Sequence, residues 1–325
     1  MIIDEAQLKR RHLRRLAGIE SRKVYLGPEV FSLEVTDACN LSCRYCWIHA
    51  PGNPLHRGRA RFFPWEKFLR AVADCVDLKV DNILLSGSGE PTLHPLFRKM
   101  MRHLEPLPVY VKLLTNGTFP ADYCLDVIKA DHVMINLSAG DRQQYRYLQG
   151  KDLFNRVVKN IERLVVLRDA RKPKLLIEIT HIVNAVNVRQ QQKMRDLASR
   201  LGVRAVFFKK MNVNAYNREV ALPPGVLSDA QGEKRRTPPA CLNGWFYMAV
   251  KLDGSVSTCC RIPKMPVGEF DKMTVKSIWS SKRMMNVRLL GKYGQIQNMF
   301  RACQTCPFYE DNLRRLKALA PLRKI

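Results

Sequence analysis

The chain has 325 residues, 46% of them apolar and 26% charged, a length that fits one or two domains and a composition that excludes a disordered chain. No apolar run approaches the roughly 18 residues of a membrane span, and Met1–Arg15 lacks the apolar stretch of a secretory signal, so a cytoplasmic protein is expected. Lys and Arg number 55 against 29 Asp and Glu, a net charge of +26, and residues 141–325 hold 36 of the basic and 14 of the acidic side chains. Such a second half suits an anionic partner, whether acidic peptide, phosphorylated small molecule, nucleic acid or anionic lipid, although a generally basic proteome gives the same excess.

Residues Glu5–Ile19 predict a basic helix, a solvated cap. From Val30 to Val206, β-branched runs alternate with segments of helical periodicity. The strands expected are Phe31–Thr36, Asn82–Ser86, Val109–Leu114, His132–Ser138, Leu175–Ile182 and Ala205–Phe208. The helices are Pro64–Val76, Leu93–Leu104, Ala121–Ala130, Leu153–Arg168 and Val188–Leu201. Six strands alternating with five helices predict right-handed βαβ units: an α/β fold whose parallel sheet forms a partial (βα)6 TIM-like barrel, short of the eight units that close a full one. The alternation stops near Met211, and 211–240, rich in Asn, Pro and charge, is expected to be a linker. Beyond it, Trp245–Leu252, Asp253-Gly254 and Val256–Thr258 predict a hairpin, Val275–Leu290 a helix, and the end of the chain a polar tail. The expected organisation is therefore an N-terminal basic helix (1–29), a barrel (30–210), a linker (211–240) and a small C-terminal domain (241–325).

Ten cysteines in a cytoplasmic chain are expected to be thiols or metal ligands rather than disulfides. Cys39, Cys43 and Cys46 share one short loop after the first strand, and thiolates so close can converge on one soft inorganic centre, iron–sulfur or zinc. Zinc wants four ligands, and His49 is the candidate for the fourth. Cys241, Cys259, Cys260, Cys303 and Cys306 fall in the last 85 residues, where a four-cysteine zinc ribbon is the alternative to a cluster. Cys75 and Cys124 stand alone at helical spacing with Val72/Val76 and Val127/Ile128, as small buried apolar residues do.

The Cys39-x3-Cys43-x2-Cys46 spacing, with the aromatic Tyr45 before the last cysteine, resembles the radical S-adenosylmethionine superfamily. Other stretches support the resemblance in the right order: Ser86-Gly87-Ser88-Gly89-Glu90-Pro91 after strand two, with Ser88 where glycine is usual, Thr115-Asn116-Gly117 after strand three, and Asn136-Leu137-Ser138 ending strand four. The resemblance implies a [4Fe–4S] cluster on the three cysteines. Its open iron would chelate the amino and carboxylate groups of S-adenosylmethionine, and electron transfer would yield a 5′-deoxyadenosyl radical. It also implies cofactor contacts from Tyr45, Ser88, Gly89, Glu90, Asn116, Ser138 and Asn184, the last competing with a role for Asn184 and Asn187 in a turn.

The later cysteines, with Gly254-x4-Cys259 after a hairpin and Ile278-Trp279 opening a helix, resemble the SPASM/twitch extension of that superfamily. Full SPASM domains have seven cysteines for two clusters, so five candidates suit the twitch form with one auxiliary [4Fe–4S] cluster on Cys241, Cys259, Cys303 and Cys306. Cys260 is the alternative to Cys259 in that set; otherwise it is a neighbour of the cluster or a hydrogen-atom donor to a substrate radical. A cluster with four protein ligands has no vacant iron, which favours electron transfer. The expected function is hydrogen abstraction from an unactivated carbon, most readily in ribosomal peptide maturation. The alternative is oxidation or epimerisation of a small molecule. A rival of another class is a non-catalytic iron–sulfur or zinc protein on nucleic acid. The expected partners are an acidic peptide or other anionic substrate and an external reductant of the flavodoxin or ferredoxin type.

Overall fold

The computed structural model describes residues 5–56, 60–208, 215–221, 238–260, 266–299, 303 and 309–319. Its elements run α1 (Glu5–Ser21), β1 (Val30–Glu34), α2 (Trp65–Asp77), β2 (Asn82–Ser86), α3 (Phe97–Leu104), β3 (Tyr110–Thr115), α4 (Cys124–Val127), β4 (His132–Asn136), α5 (Arg142–Gln149), α6 (Phe154–Arg171), β5 (Leu176–Ile182), α7 (Gln191–Arg200) and β6 (Arg204–Phe208). The C-terminal part adds β7 (Tyr247–Val250), β8 (Ser255–Ser257), β9 (Gly268–Glu269), α8 (Val275–Trp279), α9 (Lys282–Lys292) and α10 (Tyr309–Leu319).

All six expected core strands form, in the order β6-β5-β4-β3-β2-β1, each parallel to its neighbour. Alternate residues sort to two faces, as the pleat requires. Phe31, Leu33, Ile83, Leu85, Val111, Leu113, Val133, Ile135, Ile177 and Ile179 pack under the helices in one apolar core. The opposite face carries Ser32, Glu34, Lys112, His132, Asn136, Glu178 and Thr180. The polar side chains gather on that second, concave face, among apolar ones such as Leu84 and Met134, and leave it for chemistry.

The C-terminal part continues the same sheet. β7 pairs in parallel with β1, Val30 opposite Tyr247, so its hairpin extends the same sheet to nine strands. The core is continuous too, taking in Val256, Phe270, Ile278 and Trp279. Lys251 Nζ lies 2.6 Å from Glu34 Oε1, and Trp279 Nε1 donates to Leu26 O at 2.9 Å.

Three expectations are corrected. α1 is docked rather than solvated: Ile19 and Leu16 are buried against Leu242, Trp245 and Phe246, and buried Arg15 pairs with Asp81 at 2.5 Å. The helix expected over Val275–Leu290 breaks into α8 and α9 at Ser280-Ser281, because the Ser281 hydroxyl caps a new start by accepting from Met284 N. The polar tail contains α10. Of the expected linker, 222–237 lies outside the described residues, but Val220 is buried against Tyr45 and Leu148 beside the first cysteine loop.

Candidate functional site

The loop after β1 carries Cys39, Cys43 and Cys46 at the carboxyl end of the sheet, and the loop after β2 is zipped onto it. Gly89 N donates to Thr36 O at 3.0 Å and Glu90 N to Ala38 O at 2.7 Å. A Cβ on Gly87 would stand 2.5 Å from Thr36 O, and one on Gly89 2.1 Å from Ala38 O, so only glycine fits either position. The close approach that these glycines allow is made to the cysteine loop. Between the glycines, the Ser88 carbonyl accepts from His49 Nε2 at 2.8 Å, and the Ser88 hydroxyl points toward Glu34 at 3.4 Å. His49, the candidate fourth zinc ligand, therefore uses that ring nitrogen to brace the two loops together.

Several residues expected on the cofactor are committed within the protein. The buried Glu90 carboxylate accepts from Thr92 N and Oγ1, from Thr115 Oγ1 at 2.6 Å and from Asn116 N at 2.6 Å. Burial pushes its pKa up, and these four bonds pull it back. Asn116 Nδ2 donates to Asn40 Oδ1 at 2.9 Å, while Asn40 Nδ2 donates to Thr118 Oγ1 at 2.8 Å. Glu90 and Asn116 thus hold the cysteine loop against β3. Ser138 is wholly buried, and its hydroxyl accepts from Ile182 N at 3.0 Å. Asn184 builds a turn: its Oδ1 accepts from Val186 N and its Nδ2 donates to Ile182 O. Asn184 thus sits in the turn after β5, while buried Ser138 ties the end of β4 to β5. Tyr45 is buried as well, its hydroxyl donating to Asn136 Oδ1 at 2.7 Å.

One wall of the site was not foreseen. α5 starts on Asp141, whose Oδ1 accepts from Gln144 N, and stops at Gly150 in the left-handed region, φ 80°. That Asp…Gly pair was the available signal. Tyr145, Leu148 and Gln149 lie on one face at i, i+3 and i+4, all wholly buried, and Leu148 O accepts from Arg44 N at 2.8 Å.

The fit to an iron–sulfur cluster rests on three observations. The donors are soft thiols, and burial, aided by their mutual repulsion, pushes Cys43 well up and Cys39 up to about 12. Such thiols ionise when metal binds. Buried donors Tyr145 Oη and Gln149 Nε2 have no hydrogen-bond partner, as beside a missing acceptor. Cys43 has both Cys39 and Cys46 among its charged neighbours, so the three thiols of the loop gather in one place. Cys75 and Cys124, as expected, are buried in the apolar core.

At the second site, Cys241 N donates to Gly291 O at 2.9 Å, and a Cβ on Gly291 would meet Cys241 O at 2.2 Å. The antiparallel register pairs Ala249 with Ser257, which carries Tyr247 toward Cys259. Cys259 and Cys303 are half-buried and Cys260 is exposed; Cys306 lies outside the described residues. Tyr247, whose neighbours include Cys260, Cys259 and Ser32, links this site to the concave face and was not singled out from sequence.

A parallel βα sheet with three convergent thiols after its first strand, extended by a cysteine-bearing hairpin, defines an iron–sulfur protein of the partial-barrel class. Residues 33–169 match the Radical SAM superfamily, and residues 241–307 match SPASM, an iron–sulfur cluster-binding domain. Residues 33–169 thus form a radical S-adenosylmethionine domain and residues 241–307 a SPASM domain, and the cofactors of these domains are S-adenosylmethionine and iron–sulfur clusters. Among curated proteins it is 32% identical over 137 residues to a probable GTP 3′,8-cyclase of Pyrococcus horikoshii, covering 42% of each chain. It is 26% identical to the tungsten-containing aldehyde ferredoxin oxidoreductase cofactor-modifying protein of Pyrococcus furiosus, over 55% of this chain and 50% of that one. The chain therefore spans about half or less of these relatives' length. Among solved structures, Streptococcus suis SuiB bound to S-adenosylmethionine superimposes with a TM-score of 0.64 at 13% identity, covering 94% of this chain and 77% of SuiB. BtrN in complex with AdoMet and 2-DOIA gives 0.54 at 16% identity, over 86% and 93%. At these identities the likeness is one of fold. Among the described residues no helix is long and apolar enough to cross a membrane.

Proposed function

We propose that this chain abstracts a hydrogen atom from an unactivated carbon of a peptide substrate, in ribosomal peptide maturation. The reading assigns the first cluster to Cys39, Cys43 and Cys46, and an auxiliary cluster to Cys241, Cys259, Cys303 and Cys306, with Cys260 interchangeable with Cys259. When bound, the first cluster supplies the electron that cleaves S-adenosylmethionine into a hydrogen-abstracting radical. The protein's own residues then have three tasks. Glu90, Asn116, Gly87 and Gly89 fix the cysteine loop against β2 and β3. Tyr45, Asn136 and Ser138 form the polar shelf beneath it. The concave face receives the substrate. Lys112 also lies on that face, its pKa pushed down by burial against the opposing pull of Glu29 and Glu178.

The observation that carries the peptide part is the fold likeness to SuiB, also solved bound to its precursor peptide SuiA, which runs through both parts of this chain. A phosphorylated small molecule is the second reading, favoured by the 32% identity over 137 residues to a probable GTP 3′,8-cyclase. The test is anaerobic turnover with dithionite, comparing peptides bearing acidic leaders with GTP. Acceleration of 5′-deoxyadenosine formation by a peptide that itself loses hydrogen supports the proposal. Acceleration by GTP alone rejects the peptide part. No 5′-deoxyadenosine under any condition, or an undiminished yield in Cys43→Ala, rejects the assignment of the first cluster.

A further inference from the structure

α5 meets the cysteine loop along one helical face. Leu148 packs against Tyr45 and Cys43 and takes the Arg44 N–H on its carbonyl, while a Cβ on Gly150 would stand 2.9 Å from Ser42 O. This fixes the C-terminal turns of α5 against Ser42–Arg44. Tyr145 and Gln149 flank Leu148 on the same face and share its complete burial. Gln149 turns its oxygen to Ser138 N at 3.2 Å, which leaves its amide N–H groups with no acceptor; the Tyr145 hydroxyl has none either. The charged or ionisable neighbours of Tyr145 include Cys43, Glu90 and Cys39, two of them candidate cluster ligands, as well as Tyr45. Two donors orphaned side by side in a dry wall are costly unless an acceptor arrives, and the acceptor that belongs at this loop is sulfur.

We propose that Tyr145 Oη and Gln149 Nε2 donate hydrogen bonds to sulfur of the first cluster, on its Cys43 side, and thereby raise its reduction potential. Reduction adds one negative charge to the cluster, and a donor aimed at its sulfur stabilises the reduced state more than the oxidised one. No atom is transferred, so both residues position and tune rather than react. The inference rests on the assignment of the first cluster to Cys39, Cys43 and Cys46. Losing one such bond should make reduction about tenfold less favourable, which for one electron is about 59 mV.

The experiment uses the full chain, reconstituted anaerobically with iron and sulfide, as wild type, Tyr145→Phe and Gln149→Leu. The midpoint of the cluster whose spectrum responds to S-adenosylmethionine is followed by electron paramagnetic resonance. Exchangeable protons coupled to it are counted by electron–nuclear double resonance in light and heavy water. Tyr145→Phe should lower that midpoint by about 59 mV and delete one strongly coupled exchangeable proton, with the other cluster unmoved. Gln149→Leu should shift it in the same direction. Unchanged midpoints overturn the proposal, as does a change in S-adenosylmethionine affinity alone, which would make these donors cofactor contacts. Should Tyr145→Phe fail to load iron, the wild type decides: absence of strongly coupled exchangeable protons refutes the inference. A wild type with no responsive cluster refutes instead the functional reading on which it rests.

Discussion

Gly89→Ala tests how the two loops make the first site. The added Cβ would lie 2.1 Å from Ala38 O and 2.5 Å from the Asp37 carbonyl carbon, both backbone atoms that no rotamer change can move. Relief must separate the loops, which breaks the Gly89 N–Thr36 O and Glu90 N–Ala38 O bonds. Two backbone bonds at about 1 kcal/mol each, with about 1–3 kcal/mol of overpacking strain, give a loss of about 3–5 kcal/mol. That is a large share of the roughly 5–15 kcal/mol that holds a protein folded. The assays are urea denaturation of the apoprotein and iron content after reconstitution. Gly52→Ala is the comparison: its φ of 78° is equally unsuited to a side chain, but nothing lies within 4 Å, so only about 1–2 kcal/mol of backbone strain applies. Gly89→Ala should lose stability and first-site iron while keeping iron at the second site. Wild-type stability and full iron in Gly89→Ala would refute the argument that these backbones touch.

Lys251→Met should cost about 3 kcal/mol in denaturation by stranding the mostly buried Glu34 carboxylate, and adding Glu34→Gln should recover much of it. His181, buried against Phe207 with its pKa pushed down to about 4, stays neutral in the fold while the unfolded chain takes up a proton near pH 6.5. Stability should therefore fall as pH drops from about 6.5 to about 4, by up to about 3 kcal/mol, and His181→Phe should flatten that slope in pH-dependent unfolding. Cys303→Ala with Cys306→Ala should remove one cluster's iron and leave the other responsive to S-adenosylmethionine; unchanged iron would refute the auxiliary ligand set. Deuterium entering product from heavy water and lost in Cys260→Ala would mark Cys260 as a hydrogen-atom donor; deuterium retained in that variant would leave it a neighbour of the cluster.

What was legible in the sequence follows from physics. The core strands were legible because a parallel sheet covered by helices leaves dense β-branched runs such as Asn82–Ser86. The loops bearing Cys39–Cys46 and Gly87–Glu90 were legible because soft ligands and side-chain-free backbone are chemically distinctive. The individual roles were less so. Glu90, Asn116, Ser138 and Asn184 are polar residues beside the site whichever way they point, and only coordinates show their bonds turning inward to the scaffold. α5 was missed because Arg142–Gln149 is short and mostly polar; its buried face holds Tyr145, Gln144 and Gln149, which carry little apolar periodicity. The fusion of β7 to β1 joins residues more than 200 positions apart, beyond the reach of any local pattern.

The central claim is best tested by anaerobic reconstitution with iron and sulfide, followed by metal counting and electron paramagnetic resonance of the reduced protein with and without S-adenosylmethionine. The account predicts about eight irons per chain, with one of two cluster signals altered by S-adenosylmethionine. Bound zinc without iron, or cluster signals indifferent to S-adenosylmethionine, would contradict it.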